Sequence, residues 1–288
     1  RDSVASRGLG DVYKRQGGFM SVTYPLGFRA GGIQAGLRTT PGLDLALIVN
    51  DGPADVVAGV FTTNRVCAAP VQWSRHATAD HKARAVIVNA AVANACTGID
   101  GFADCDITFS RVDSDACMST NDTVVAMASG ASGISLTGDE LTDALTELCA
   151  ILARQLVADA EGSHHDVKVT VAGAISTEAA VAVAREVTRS NLVKTAIAGN
   201  DPNWGRILAA IGCVPENVAP FDPDQVDVSI NDIQICKAGG IGEDRNLVDM
   251  RPREVHIDIE LHAGDAEAAV WTNDLTHQYV EENSAYTS

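Results

Sequence analysis

Apolar and polar positions along this chain change period several times, and each change predicts an element. From Leu43 come three short β-type runs, LDLALIVN, VVAGVFTT and ARAVIVNA, separated by Gly, Pro and Asp, with one amphipathic stretch, AAPVQWSRHAT, between the last two. That order predicts a mixed α and β unit. Thr137-Gly-Asp-Glu140 reads as a capping box. It opens a helix over 137–160 whose Leu141, Leu145, Leu148, Leu152 and Leu156 recur at helical spacing until Gly162 stops it. A strand, VKVTVAG, follows, and then a helix from Ser176 with Ala180, Val183, Ala184 and Val187 on one face. Both stripes need a partner, so both helices are expected to pack against a sheet.

Asp201 followed by Pro202 offers an N-cap oxygen and then a residue with no amide hydrogen to satisfy, which predicts a helix start. VDVSINDIQIC alternates about Asn231-Asp232 as a hairpin does, and EVHIDIELHAGDAEAAVW reads as a second pair turned at Ala263-Gly264. The expectation is an α/β mixed fold, helices layered on mostly antiparallel sheets, in two αβ subdomains over 20–104 and 105–288. No internal repeat, low-complexity segment or linker interrupts it.

The first nineteen residues, RDSVASRGLGDVYKRQGGF, lack the apolar middle of a signal peptide and follow none of these periods. They resemble translated sequencing-adapter text, which makes 1–19 a non-native leader and Met20 the expected start. The 288 residues are 46% hydrophobic, enough for one or two domains with a real core. Net charge is −17, from 38 acidic and 21 basic side chains. Such a chain is repelled by nucleic acid and by anionic membranes. The acids are scattered, as on a solvated surface. Seven cysteines, an odd number without a CxxC pair, predict reduced and mostly buried thiols in a cytoplasmic protein. No apolar run approaches the roughly 20 residues that span a bilayer.

Several polar clusters invite chemistry. Glu161 places a carboxylate near the negative end of a helix, where it is either a solvated helix end or a substrate-facing group able to receive an amine. His164 and His165 are adjacent, and on an extended chain they point to opposite sides, which argues against one shared metal. Asp201, Asn203 and Arg206 read equally as a pocket wall or as a cap with a salt bridge. Asp113, Asp115 and Asp122 lack the glycine and distal glutamate of a calcium loop. Ser119, Thr120, Asn121 and Thr123 read as the turn into a strand.

Taken together, GVFTTNRVCAAPV at Gly59 to Val71, NACTG at Asn94 to Gly98, STNDTV at Ser119 to Val124, DAEG around Glu161, LVKTAIAGNDPNWGRILAAIG at Leu192 to Gly212 and the terminal DLTHQYVEENSAYTS resemble one family. It is the arginine-biosynthesis glutamate and ornithine N-acetyltransferases, and the resemblance spans nearly everything after Met20. It implies an N-terminal-nucleophile-like fold and transfer of an acetyl group from N-acetylornithine to glutamate, with acetyl-CoA as a second donor in some members. In such enzymes the precursor cuts itself before a threonine, which then carries the acyl group while an oxyanion site holds the intermediate. The implied substrate-binding residues are Glu161, Asn283 and Ser288; no metal is implied, and the assembly expected is a homo-oligomer.

Two departures accompany the resemblance. The pattern ending GFAD runs directly into TFSRVDSDACMSTNDTV at about Asp104 to Ile107, whereas the family places a long central segment between them. What is skipped holds the oxyanion residues and the cleavage site with its nucleophile, so no catalytic residue carries over. Ala77-Thr78 is the one Ala-Thr pair present, and it reads as a surface helix end. In addition, NAAVANACTG at Asn89 to Gly98 carries Ala91 and Val92 where relatives turn on glycine. The sequence thus supports either an acetyltransferase by descent, internally truncated and inactive, or a non-catalytic amino-acid-binding or subunit-pairing remnant.

Overall fold

The computed structural model describes residues 21–35, 42–89, 111–114 and 119–285. These form two compact units. One takes the described residues through Asn89 and those from 119 to Cys149; the other takes 111–114 and 150–285.

The first unit holds two antiparallel sheets. Strands β1 (Phe28–Ile33), β2 (Leu45–Asn50) and β4 (Ala85–Asn89) lie in the order β1-β2-β4, and β3 (Val56–Phe61) pairs with β5 (Thr123–Ala128). The buried Asn50 side chain ties them, donating to the Ala128 carbonyl of β5 at 3.4 Å and to the Ala54 carbonyl at 3.0 Å and accepting from the Gly52 amide at 3.0 Å. Helix α1 (Ala69–Ala77) starts with Pro70 in its first turn and buries Val71, which fits its amphipathic sequence. The polar residues before β5 form the expected turn into a strand: the Asn121 amide donates to Ser119 Oγ and Thr123 Oγ1 to the Asn121 carbonyl.

Helix α2 (Gly138–Ala158) begins at the capping box, with the Thr137 amide donating to Glu140 Oε2 at 2.9 Å and the Glu140 amide to Thr137 Oγ1 at 3.3 Å. The Thr137 amide holds the Glu140 carboxyl below its usual range. The helix itself forms as its spacing requires, but its stripe does not enter a core. Only Ala153 and Val157 are buried, while Leu141, Leu145, Leu152 and Leu156 are 48, 37, 37 and 59% exposed. The expectation that this helix packs its leucines on a sheet is therefore corrected.

The second unit is a six-stranded sheet of β6 (Asp166–Ala174), β7 (Asp227–Ile230), β8 (Ile233–Lys237), β9 (Gly240–Ile241), β10 (Glu254–Glu260) and β11 (Ala266–Asn273) in the order β11-β6-β10-β7-β8-β9. All pairings are antiparallel except β6 with β10. Helices α3 (Thr177–Arg189), α4 (Asn191–Ala198) and α5 (Trp204–Ile211) follow β6, and α3 packs on β6 and β11. Alternation builds the core: Val167, Val169 and Val171 of β6 and Val255, Ile257 and Ile259 of β10 meet Ala180, Val183, Ala184 and Val187 of α3. Ser176 caps α3 by accepting the Ala179 amide at 3.1 Å. The cap of α5 is Asn203, accepting from Arg206 at 3.2 Å, and not Asp201; Pro202 precedes the helix instead of opening it.

The Asn231-Asp232 hairpin joins β7 to β8 with both residues at positive φ, 47° and 67°, the backbone of a type I′ turn. The second expected hairpin is not one. β10 and β11 both form, but β6 lies between them, so the link at His262–Gly264 crosses the end of β6. Gly173 permits that crossing. It has φ +68°, its amide oxygen accepts from Ala263 and Gly264, and a Cβ there would lie 2.8 Å from the His262 amide nitrogen. Gly173→Ala is expected to cost about 1–3 kcal/mol, read as a lower urea midpoint with an unchanged slope.

Of the four described cysteines only Cys236 is buried; Cys67 and Cys149 are half-buried and Cys213 is exposed, so the expectation of mostly buried thiols is corrected for these. Among the described residues no helix is long and apolar enough to cross a membrane.

Candidate functional site

The second unit gathers three segments at one end of β11, and each is held there by buried polar groups. Asn273, the last residue of β11, donates from Nδ2 to the Val157 carbonyl in the last turn of α2 at 2.7 Å and to Ser163 Oγ at 2.9 Å. Its Oδ1 accepts from Ser114 Oγ at 2.7 Å. One amide side chain thus satisfies a helix-end carbonyl and fixes two loops. Arg253 covers the neighbouring helix-end carbonyl, Ala158, at 2.6 Å, and its hydrogen bond to Asp166 raises its guanidinium above the ordinary value.

Asp274 is wholly buried on its side chain. Its Oδ1 accepts the main-chain N–H groups of His164 and His165 at 2.9 and 3.1 Å, and its Oδ2 lies 2.8 Å from His165 Nδ1. His165 Nε2 lies 3.0 Å from the Met250 carbonyl, an acceptor, so that nitrogen donates. The histidine pair is therefore divided between structure and solvent: His165 is buried in this network and His164 is exposed. Among the described residues no group of three or more His, Cys, Asp or Glu is arranged to hold a metal.

Next comes the helix α6 (His277–Ala285). Thr276 Oγ1 donates to the Gly162 carbonyl at 2.6 Å and accepts the Tyr279 amide at 3.0 Å, locking the first turn of α6 onto the bend after α2. Gly162, at φ +63°, has no room for a Cβ, which would lie 2.4 Å from the Tyr279 nitrogen. The close approach carries Asn283, one turn further along α6, to Glu161. Asn283 Nδ2 donates to Glu161 Oε2 at 3.2 Å and to the Tyr279 carbonyl at 2.9 Å. Glu161 is thus not the last residue of the helix but part of the bend beyond it.

These groups line a cavity of about 290 Å³ whose polar wall includes Ser114, Glu161, Lys194, Asn273, Tyr279 and Asn283. Lys194 is 8% exposed, lying in α4 beside the buried Val193, Ala196 and Ile197, and its ammonium donates to the Ser114 carbonyl. A carboxylate, an ammonium and a side-chain amide on one small cavity match the functional groups of an amino acid. Sequence reading missed Ser114, Lys194 and Asn273. Lys194 carried a signal, since it interrupts the apolar face of LVKTAIA; the other two carried none, because only the fold brings residues 114 and 273 together.

The remaining candidates fall elsewhere. Ser288 lies outside the described residues, as do Asp115, the stretch from 90 to Gly98 and the join at Asp104 to Ile107. Asp201 pairs with Arg245 at 3.1 Å and Arg206 donates to the Leu192 carbonyl at 2.8 Å, so with Asn203 they form a cap and a salt bridge and do not line this cavity. Asp113 has a structural post. Its side chain is fully buried against Arg189 Nε at 2.8 Å, and its amide and carbonyl bond Trp271 and Thr272 beside β11. Thr78 is the C-cap of α1 and donates to the Ser74 carbonyl at 2.8 Å.

Comparison with known proteins gives a consistent result. The ArgJ family model matches residues 29–108 and 103–288. The arginine biosynthesis bifunctional protein ArgJ of Bifidobacterium longum is 40% identical, over 93% of this chain and 100% of its own length; that of Streptomyces coelicolor is 38% identical, also over 93% and 100%. The crystal structure of the ArgJ protein of Bacillus halodurans superposes with a TM-score of 0.57 at 35% identity, covering 62% of this chain and 87% of that one. The Bifidobacterium alignment is 391 residues long, whereas 93% of 288 residues is about 268, so about 120 positions of the relative face no residue here. The two matched parts of the family model meet over 103–108, the stretch that contains the join read at Asp104 to Ile107.

Proposed function

Because the chain belongs to the ArgJ family, we propose that it descends from an acetyltransferase moving an acetyl group from N-acetylornithine to glutamate, and that it keeps the amino-acid-holding wall without the nucleophile. One observation carries the reading. Glu161 and Asn283 are 122 positions apart in sequence, both belong to the substrate-binding set that the resemblance implies, and they share a hydrogen bond in the lining of one cavity. An α-ammonium or δ-ammonium takes the place of Asn283 Nδ2 on the Glu161 carboxylate, and a carboxylate takes its hydrogen bonds from the N–H that Asn283 thereby frees and from the Lys194 ammonium. Ser288 is proposed as a further hydroxyl donor to the same carboxylate. Acetyl-CoA is proposed as an alternative acetyl donor of the ancestral reaction; for this chain, cytoplasm is proposed as the compartment and a homo-oligomer of uncleaved chains as the assembly.

The aligned relatives are named bifunctional proteins of arginine biosynthesis, and about 120 of their positions are skipped here. Under this proposal the skipped part held the threonine and its oxyanion donors, so what this chain can still do is bind. That favours an amino-acid-binding remnant as the present activity. Titration calorimetry with ornithine is expected to show saturable binding, weakened about tenfold by Glu161→Gln and by Asn283→Ala through loss of a charge-assisted hydrogen bond each. No saturable heat up to about 10 mM ornithine, or equal affinity in both variants, overturns the proposal.

A further inference from the structure

Val167, Val169 and Val171 of β6 and Ile257 and Ile259 of β10 form the core with α3 on one face of the six-stranded sheet. Alternation sends the side chains between them to the opposite face, where they line a second cavity, of about 380 Å³, wholly within the second unit. Its lining holds four carboxylates, Asp227, Asp258, Glu260 and Glu267, against one ammonium, Lys168. Glu260 stands opposite Asp227 across the pair of β10 and β7, and like charges so placed repel. Asp227 is already occupied. Burial pushes its carboxyl up, but the Ala238 amide at 2.7 Å and His262 Nε2 at 3.0 Å outweigh that and hold it below the usual range. Asp258, by contrast, makes neither a hydrogen bond nor an ion pair among the described residues.

A cluster of acids is ordinarily a solvated surface. The floor of this cavity is different. Thr170 is 9% exposed, stands beside Asp258 in register, and its buried Oγ1 has no hydrogen-bond partner among the described residues. A buried hydroxyl left unpaired is costly to a fold, and a ligand that bonds to it offsets that cost. On its other side Asp258 faces Ser229, which faces Gln234. Hydroxyl, carboxylate, hydroxyl and amide thus follow one another across four strands, and all of them can accept.

We propose that this cavity binds a small aliphatic dication with a primary ammonium at each end, one held by Asp258 with the Thr170 hydroxyl and the other by Glu260. Asp258 and Glu260 are two residues apart on β10, about 7 Å along the strand, a span that a short alkyl diamine bridges. Each ammonium has three donors and no acceptor, which suits a row of acceptors, and both are charged at neutral pH. An amino acid fits poorly, since its own carboxylate meets the negative charges of Asp227 and Glu267. The inference rests on this face of the sheet and not on the cavity beside Glu161.

Titration calorimetry of the full chain with 1,4-diaminobutane is expected to show one saturable site. Asp258→Asn should weaken it about tenfold, as should butylamine in place of the diamine, and Lys168→Met should tighten it about threefold by removing a competing cation. Thr170→Val separates binding from structure. It removes an unpaired buried hydroxyl, so the urea midpoint of the free chain should hold or rise while diamine affinity falls about threefold or more. No saturable heat up to about 10 mM diamine, equal affinity for diamine and butylamine, or indifference to Asp258→Asn or to Thr170→Val overturns the proposal and leaves an acidic surface that only gathers counter-ions. Heat lost on Glu161→Gln but not on Asp258→Asn places the diamine in the other cavity and overturns it as well. Ornithine binding is a separate titration, so its failure would touch the proposed function and leave this result standing.

Discussion

Replacing Asp274 with alanine is expected to cost the chain about 3–5 kcal/mol. The carboxylate is wholly buried and satisfies three donors at once: two main-chain N–H groups and His165 Nδ1. Alanine leaves all three in a place water does not reach, and each unpaired buried donor costs about 1–3 kcal/mol before packing is counted. Because the histidine is also fixed through Nε2 to the Met250 carbonyl, it cannot turn outward without breaking that bond as well. Total stability of a domain is about 5–15 kcal/mol, so this loss removes a large share of it. Asp274→Asn is the informative companion, since it keeps the shape and one carbonyl acceptor and should lose about half as much. Urea unfolding of the three proteins measures both. A loss under about 1 kcal/mol for alanine would show that the network contributes little.

How much of this was legible in the sequence depends on the range over which the causes act. Elements fixed by neighbours were readable: the capping box at Thr137 and Glu140, the Ser176 cap and the Asn231-Asp232 turn all appear where local chemistry put them. Pairing was less so. HIDIELHAGDAEAAV has the alternation and turn of a hairpin, yet the strands straddle β6, because the partner of a strand is chosen by the whole sheet and not by the loop that follows it. The cap at Asn203 was misassigned to Asp201 because both residues can accept, and sequence does not show which oxygen faces the helix. The leucine stripe of α2 is the clearest case. Its period correctly gives a helix, and its burial is expected for the same reason; the exposure of its leucines overturns that expectation, and no local pattern records it. At the site, Glu161 is flagged by its charge at a helix end and then by resemblance and Asn283 by resemblance, while Lys194, Ser114 and Asn273 come only from the fold.

Given N-acetylornithine and glutamate, the purified chain is expected to release no acetylglutamate above the uncatalysed background and to run as one full-length band on a denaturing gel. Both acts require a hydroxyl activated by a nearby base and an acyl intermediate stabilised by aimed donors. Losing one oxyanion donor costs about 3–4 kcal/mol, and losing a nucleophile in comparable enzymes lowers turnover about a million-fold. The one Ala-Thr pair offers no substitute. Thr78 ends helix α1 and its hydroxyl proton is directed at the Ser74 carbonyl, an acceptor that holds the hydroxyl without removing its proton. Two fragments on the gel, or turnover abolished by Thr78→Ala, would show that the chain has its own nucleophile and that the truncated reading is wrong. The converse experiment inserts the unaligned segment of the Bifidobacterium relative between residues 103 and 108, where the two family-model matches meet. Under the proposed function, self-cleavage and transfer should then appear together, because the inserted part would supply the threonine to the cavity lined by Glu161 and Asn283. If cleavage returns without transfer, the fault lies in the wall that this chain contributes, and Glu161 is the first side chain to re-examine by substitution.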